Sequence, residues 1–141
     1  MIELRFAENC RPKYMTRLSS ACDLVAREPA FVEPFSVAKV PVGVWIEAVD
    51  DNIDQNVIPE LQIRARSGLA YKSAIMLANG VGTIDADYRD EICVLLYNGG
   101  KERFTIEKGM RIAQMTLGFT NRIASIPIGE ERSGGFGSTL V

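Results

Sequence analysis

The chain has no histidine, which removes the commonest general base and the commonest transition-metal ligand. Acid–base work must fall to carboxylates, tyrosine, lysine or water. Cysteine is scarce: Cys10, Cys22 and Cys93 are odd in number and widely spaced, a pattern that suits neither a disulfide framework nor a zinc site. They are expected to be reduced, Cys22 and Cys93 within apolar strand-like runs. No apolar run approaches the ~18 residues of a membrane span, and no secretory signal is read, so no membrane partner is expected. The basic stripe that nucleic acid requires is missing too, the net charge being -2. A small phosphorylated ligand remains open if a few arginines converge. With 141 residues, 47% of them hydrophobic, the chain is expected to form one soluble domain in the cytoplasm, or in a host's cytoplasm if the source is viral.

What is present is a series of short Val- and Ile-rich runs cut by Gly, Pro or Asn: IELRF, ACDLVA, VAKVPVGVWIEA, VIPELQIRA, EICVLLY, ERFTI, RIAQMTLGF and RIASIPI. Such spacing predicts an all-β barrel or sandwich. Asn79-Gly80 and Asn98-Gly99 read as hairpin turns because both residue types tolerate positive φ, and Lys108-Gly109 as a turn before the next strand. Pro29, Pro34, Pro41 and Pro59 belong at strand starts, edges or loops. The stretch SGLAYKSA, 67–74, predicts one short helix behind a Ser that can cap it. The tail RSGGFGSTLV holds too much glycine to pack unaided and is expected to stay mobile until something orders it.

Three constellations can carry chemistry. In GVGTIDADYRDE, 80–91, Asp85 and Asp87 lie on one side about 7 Å apart if the stretch is extended, and diverge if it bends. Spacing does not choose between a ligand-facing pair and two solvated turn acids. Gly80 and Gly82 lack side chains at alternate positions, so backbone amides there can lie against a flat ligand. In RSGLA, 66–70, a guanidinium, a hydroxyl and exposed helix-start amides suit phosphate oxygens, although a plain cap beside a surface Arg would look the same. The stretch GGFGST, 134–139, lacks the Gly-Lys-Ser/Thr ending of a Walker loop; it reads either as a spare tail or as an arm carrying an aromatic and two hydroxyls.

These pieces, in this order, resemble the five motifs of the trimeric deoxyuridine triphosphatases (dUTPases): SACDLVA, RSGLA, NGVGTIDADY, GMRIAQM and RSGGFGST, laid along nearly the whole chain. The resemblance implies an all-β, single-domain β-barrel or jelly roll over 1–130 with one short helix, and a flexible Gly-rich C-terminal arm over 131–141. It implies hydrolysis of dUTP to dUMP and pyrophosphate, keeping uracil out of DNA and supplying dUMP. Mg2+ would be held mainly by the triphosphate and waters, with Asp23 on a metal-bound water. Asp85 would orient the water that attacks the α-phosphorus, and the second acid would be structural. Uracil would be held by backbone groups across a hairpin from Asn79 to Asp85, including Gly82, Thr83 and Ile84, and by the Asn79 amide. Tyr88 would pack on the deoxyribose. Arg66, Ser67, Gly68 and Gln114 would contact phosphates. From the arm, Phe136 would stack on uracil while Arg132, Gly137 and Ser138 engage phosphates. The family is a homotrimer whose sites are shared between subunits, with the arm supplied by another chain.

Departures from the family pattern are Ala65 where Pro is usual, Asp90 where Gly is usual, Ala21 near a common Gly, and a fifth motif one residue shorter after Arg132. The stretch AVDDNIDQNVIPE, 48–60, reads as an acidic surface excursion. Alternatives are a dCTP deaminase-type relative, and a trimeric regulatory scaffold that retains nucleotide binding.

Overall fold

The computed structural model describes residues 1–133. Its strands are β1 (Ile2–Phe6), β2 (Cys22–Val25), β3 (Ala30–Val32), β4 (Val37–Pro41), β5 (Val44–Val49), β6 (Val57–Arg64), β7 (Ile75–Leu77), β8 (Gly82–Asp85), β9 (Cys93–Asn98), β10 (Phe104–Ile106) and β11 (Arg111–Asn121), with one helix, α1 (Ser67–Ser73), after β6. They pair as a four-stranded sheet β2-β11-β6-β8, a three-stranded sheet β4-β9-β7 and the two ribbons β1-β5 and β10-β3. Every strand pairing is antiparallel.

The alternation read from the sequence decides which side chains face in. In β6, Pro59, Leu61 and Ile63 are buried while Glu60, Gln62 and Arg64 point out; in β9, Val94, Leu96 and Asn98 are buried. Leu61, Ile63, Val94 and Leu96 join Leu24, Val40, Val42, Val44, Ile46, Ile92, Ile106, Ile112 and Met115 in one core. Each fully buried aliphatic contributes about 1.5–3 kcal/mol from apolar transfer. Inward-facing Asn98 donates to the carbonyls of Val32 (2.9 Å) and Glu102 (2.7 Å) and accepts from Gly100 N–H (2.9 Å), so its burial costs no unpaired polar atom. On β5 the single tryptophan, Trp45, lies under two guanidiniums, Arg5 at 4.3 Å and Arg27 at 5.4 Å from its ring centre.

Several expectations change. Neither Asn-Gly pair closes a hairpin, because β7 pairs with β9 and β8 with β6, while β9 and β10 join different sheets. Gly80 does take positive φ (+72°), but Asn98 and Gly99 do not, Asn98 being a core bracket instead of a turn residue. Gly109, at +83°, turns the chain as expected. Arg66, not a serine, is the N-cap of α1 and makes no side-chain cap bond; Ser67 is the first helical residue. The RIASIPI run forms no strand, and Ile123, Ile126 and Ile128 are left 60–69% exposed. The excursion at 48–60 shrinks to 50–56, since β5 runs to Val49 and β6 starts at Val57. Pro59 sits inside β6, one residue beyond the stretch that β8 covers, where its missing donor is tolerated.

Candidate active site

The outward face of the four-stranded sheet is polar, and register fixes its rows. Asp23, Gln114 and Arg64 stand side by side across β2, β11 and β6; Thr116, Gln62 and Thr83 form the next row; Gly118, Glu60 and Asp85 form the third. Two groups of candidate residues lie at opposite corners of this face.

In the first corner Asp23, only 11% exposed at its side chain, pairs with Arg66 Nε (3.6 Å) and Arg111 Nη1 (3.4 Å). Arg66 also donates to the Arg111 carbonyl (3.2 Å), and the Gln114 amide donates to the Ala65 carbonyl (2.9 Å). Strands β2 and β11 thus brace the turn into α1 from two sides. Ser67 and Gly68 stand exposed beyond it, and a Cβ built on Gly68 would meet nothing within 4 Å. The corner is cationic, with open backbone amides, as anion binding requires.

In the second corner Asp85 ends β8 and the chain turns, Tyr88 N–H donating to the Asp85 carbonyl at 3.0 Å. The bend is therefore correct and the extended alternative is not. The carboxylates nevertheless do not diverge: Arg132 Nη1 lies 2.9 Å from Asp85 Oδ2 and 3.5 Å from Asp87 Oδ1, with its guanidinium 5.3 Å from the centre of the Tyr88 ring. Tyr88 is 6% exposed and its hydroxyl donates to the Glu91 carbonyl (3.2 Å). Burial pushes its pKa up, nearby Cys93 and Asp90 push the same way, and Arg132 opposes. A phenol held protonated is a surface to pack on, not a base. A cleft of about 840 Å³ opens here, lined by Asp85, Asp87, Arg122, Arg132, Ile53 and Ile128 among others.

Along the approach to Asp85, Asn79 and Thr83 are exposed and Gly80 is open on its Cβ side. Gly82 is different: it is buried, and a Cβ there would lie 3.1 Å from Ile63 Cβ and 3.4 Å from the Asn79 amide nitrogen. Packing against β6 favours glycine there, and its backbone is the part left to meet a ligand. Ile84 packs on the core opposite Leu61, leaving its backbone as the part able to meet a ligand. Phe136, Gly137 and Ser138 lie outside the described residues. Arg132 lies on Asp85 of its own chain, where the resemblance has the arm come from another.

The two corners do not meet. Asp85 pairs with Glu60 and Gln114 with Arg64, four residues along β6 and on opposite sides of it. At ~3.3 Å per residue and ~4.8 Å per strand, they stand roughly 16 Å apart. Between them runs a chain of side-chain bonds that sequence reading missed, Arg64 to Gln62 (2.8 Å) and Gln62 to Glu60 (2.6 Å). The period-2 alternation of VIPELQIR held the signal, since it puts all three on one face. Arg111 was missed as well, although it lies inside a quoted motif.

For a divalent cation, the described residues contain no cluster of three or more acid, Cys or His ligands. Mg2+ often needs none, keeping waters and using one or two carboxylates plus substrate phosphates. Asp23 fits that modest role: Arg66 and Arg111 engage its Oδ2, and Oδ1 has no partner among the described residues.

Fold and site together define an all-β protein with an arginine-rich corner and a carboxylate presented at a strand end. The dUTPase family model matches residues 9–140. The deoxyuridine 5'-triphosphate nucleotidohydrolase of Rickettsia peacockii is 48% identical over 137 residues, covering 92% of this chain and 88% of the relative. That of Rickettsia bellii is 44% identical over 140 residues, covering 92% and 87%. The chain belongs to the dUTPase family. In fold it is similar to the dUTPase of Streptococcus mutans (TM-score 0.69, 23% identity, covering 89% of this chain and 98% of that one). It is also similar to a mutant dUTPase of phage phi11 of S. aureus, whose structure reveals how a structural Mg(II) ion is coordinated (TM-score 0.71, 19% identity, covering 94% and 99%). No helix among the described residues is long and apolar enough to cross a membrane.

Proposed function

We propose that this chain is a dUTP diphosphatase, converting dUTP and water to dUMP and pyrophosphate. Membership of the family and the named relatives support the activity. The observation that carries the chemistry is the Asp85 carboxylate, half-exposed at a strand end with the guanidinium of Arg132 against it, that guanidinium lying in turn over the ring of Tyr88. Asp85 accepts a hydrogen bond from a water and aims it at the α-phosphorus. The new P–O bond forms as the bond to the bridging oxygen breaks, pyrophosphate leaves, and the water's proton passes to the carboxylate. A positioned base contributes roughly 10²–10⁴-fold. Alignment and neutralisation of developing charge supply more.

Arg66, Ser67, Gly68, Gln114 and Arg132 hold the phosphate chain. Asp23 would hold Mg2+ through a water beside the triphosphate, and the ion would supply positive charge there. Asn79 and the backbone of Gly82, Thr83 and Ile84 hold uracil, and exchanging uracil's donor and acceptor for those of cytosine leaves buried groups unpaired. Tyr88 fills the space a 2'-hydroxyl would need. Phe136, Gly137 and Ser138 close over the nucleotide, residues 131–141 acting as an arm on a domain of 1–130.

The active form in this proposal is a homotrimer. One chain holds Asp85 and the phosphate corner roughly 16 Å apart, so a compact site combines the two corners from different copies. Leu117, Phe119, Ile123, Ile126 and Ile128, all 45–69% exposed, give the copies apolar surface to share. The test is pyrophosphate release from dUTP, dTTP, dCTP and UTP, with and without Mg2+. Rapid release from dUTP alone is expected; equal release from dTTP, or ammonia from dCTP, overturns the proposal.

A further inference from the structure

Asp85 has a role in the proposed reaction, but Asp87 has none, although both meet the same guanidinium. Arg132 Nη1 is 2.9 Å from Asp85 Oδ2 and 3.5 Å from Asp87 Oδ1, and its Cζ is 5.3 Å from the Tyr88 ring centre. All three partners belong to one turn, pinned by the bond from Tyr88 N–H to the Asp85 carbonyl. The Arg132 side chain is 15% exposed against 53% for Asp85 and 58% for Asp87. The turn gives the cation a seat on one side, with the two acids at its rim.

The seat carries two negative charges for one positive. That excess bears on the reaction, because Arg132 engages the same carboxylate that must accept a hydrogen bond from the attacking water. A second acid beside it gives the guanidinium somewhere to stay when it leaves Asp85. We propose that Asp87 is a positioning residue for the hydrolysis: it tethers the root of the C-terminal segment through Arg132. The guanidinium then waits beside Asp85 before the nucleotide arrives, and remains at the site once the triphosphate draws it off that carboxylate. The role in turnover rests on the function proposed above, whereas the tether itself does not.

The test uses the full chain with Asp87→Asn, Asp87→Glu, Arg132→Gln and the Asp87→Asn/Arg132→Gln double variant. Tryptic release of the peptide 133–141, followed by mass spectrometry without nucleotide, reads the tether directly, since cleavage follows Arg132. Half-exposed ion pairs are weak, so release from Asp87→Asn should rise about two- to fivefold. With dUTP and Mg2+, kcat should fall by a similar factor with KM nearly unchanged. Asp87→Glu should restore both, and Asp87→Asn should cost nothing further once Arg132 is Gln. Wild-type release and kinetics in Asp87→Asn, or losses that multiply in the double variant, would overturn the proposal. If the wild type releases no pyrophosphate from dUTP, the functional reading fails alone, and proteolysis still decides whether Asp87 holds Arg132.

Discussion

At the β2–β11 corner of the polar sheet face, Asp23 is pressed between Arg66 and Arg111 with 11% of its side chain exposed; at the β8 corner, Asp85 and Asp87 keep more than half of theirs. The first corner is braced from three directions: the turn between β6 and α1, strand β2 and strand β11. The second is a turn whose acids share one cation from a distant part of the chain. Charges of the first kind are set before a ligand arrives and cost no reorganisation, which suits binding a phosphate chain. Those of the second kind can exchange partners, which suits a group that must engage a water during the reaction.

The comparison is broken most directly at its movable corner. Asp85→Asn keeps the shape and removes the negative charge, so pyrophosphate release should drop roughly 10²–10⁴-fold. Calorimetry should still find dUTP bound, because the braced corner is untouched. Were the Asn variant to retain its rate, both the role of Asp85 and the contrast between corners would fall. Asp23→Ala attacks the other side: Arg66 loses its brace, and KM for dUTP should rise about tenfold, ~1.4 kcal/mol, with kcat changed less. A loss confined to kcat would mean that Asp23 acts in the chemical step instead.

A smaller effect separates two glycines. Gly82→Ala forces a methyl to 3.1 Å from Ile63 Cβ and should cost about 1–3 kcal/mol in urea unfolding. Gly68→Ala meets no atom and removes a helix glycine, so stability should hold or rise by up to ~1 kcal/mol while KM for dUTP increases.

The smallest effect comes from pH. Burial is the main cause raising the thiols of Cys10, Cys22 and Cys93 above their ordinary 9.0, and the Tyr88 phenol above 10.0. The unfolded chain therefore gives up these protons first, and the native state still holds them where the unfolded state does not. Their contribution to stability is complete below about pH 9 and is lost as pH rises through the folded values. The urea midpoint should fall between pH 9 and 10.5, and less steeply in Cys22→Ala.

The all-β class, the helix at 67–73 and most strands were legible because alternation and punctuation are local properties. IELRF is β1 to the residue, and VIPELQIRA contains all of β6. Pairing was not legible. Asn-Gly looks like a hairpin in any sequence, yet β7 and β8 part into different sheets, a choice made by contacts with β6 and β9 far along the chain. RIASIPI carries strand propensity but finds no strand partner among the described residues. At the candidate site, Asp85, Arg66 and Gln114 came from the family resemblance of their motifs. That Asp85 stands apart from the other two follows only from register, and the brace from Arg111 required knowing that β2 lies beside β11.

Trp45, stacked beneath Arg5 and Arg27, belongs to the β1-β5 ribbon, which carries none of the residues assigned to nucleotide or phosphate. As the chain's single indole, it makes the protein its own optical gauge: emission follows loss of the ribbon without any added dye. Unfolding read this way, set beside a separate assay of pyrophosphate release, separates variants that merely fall apart from those that stay whole and stop working.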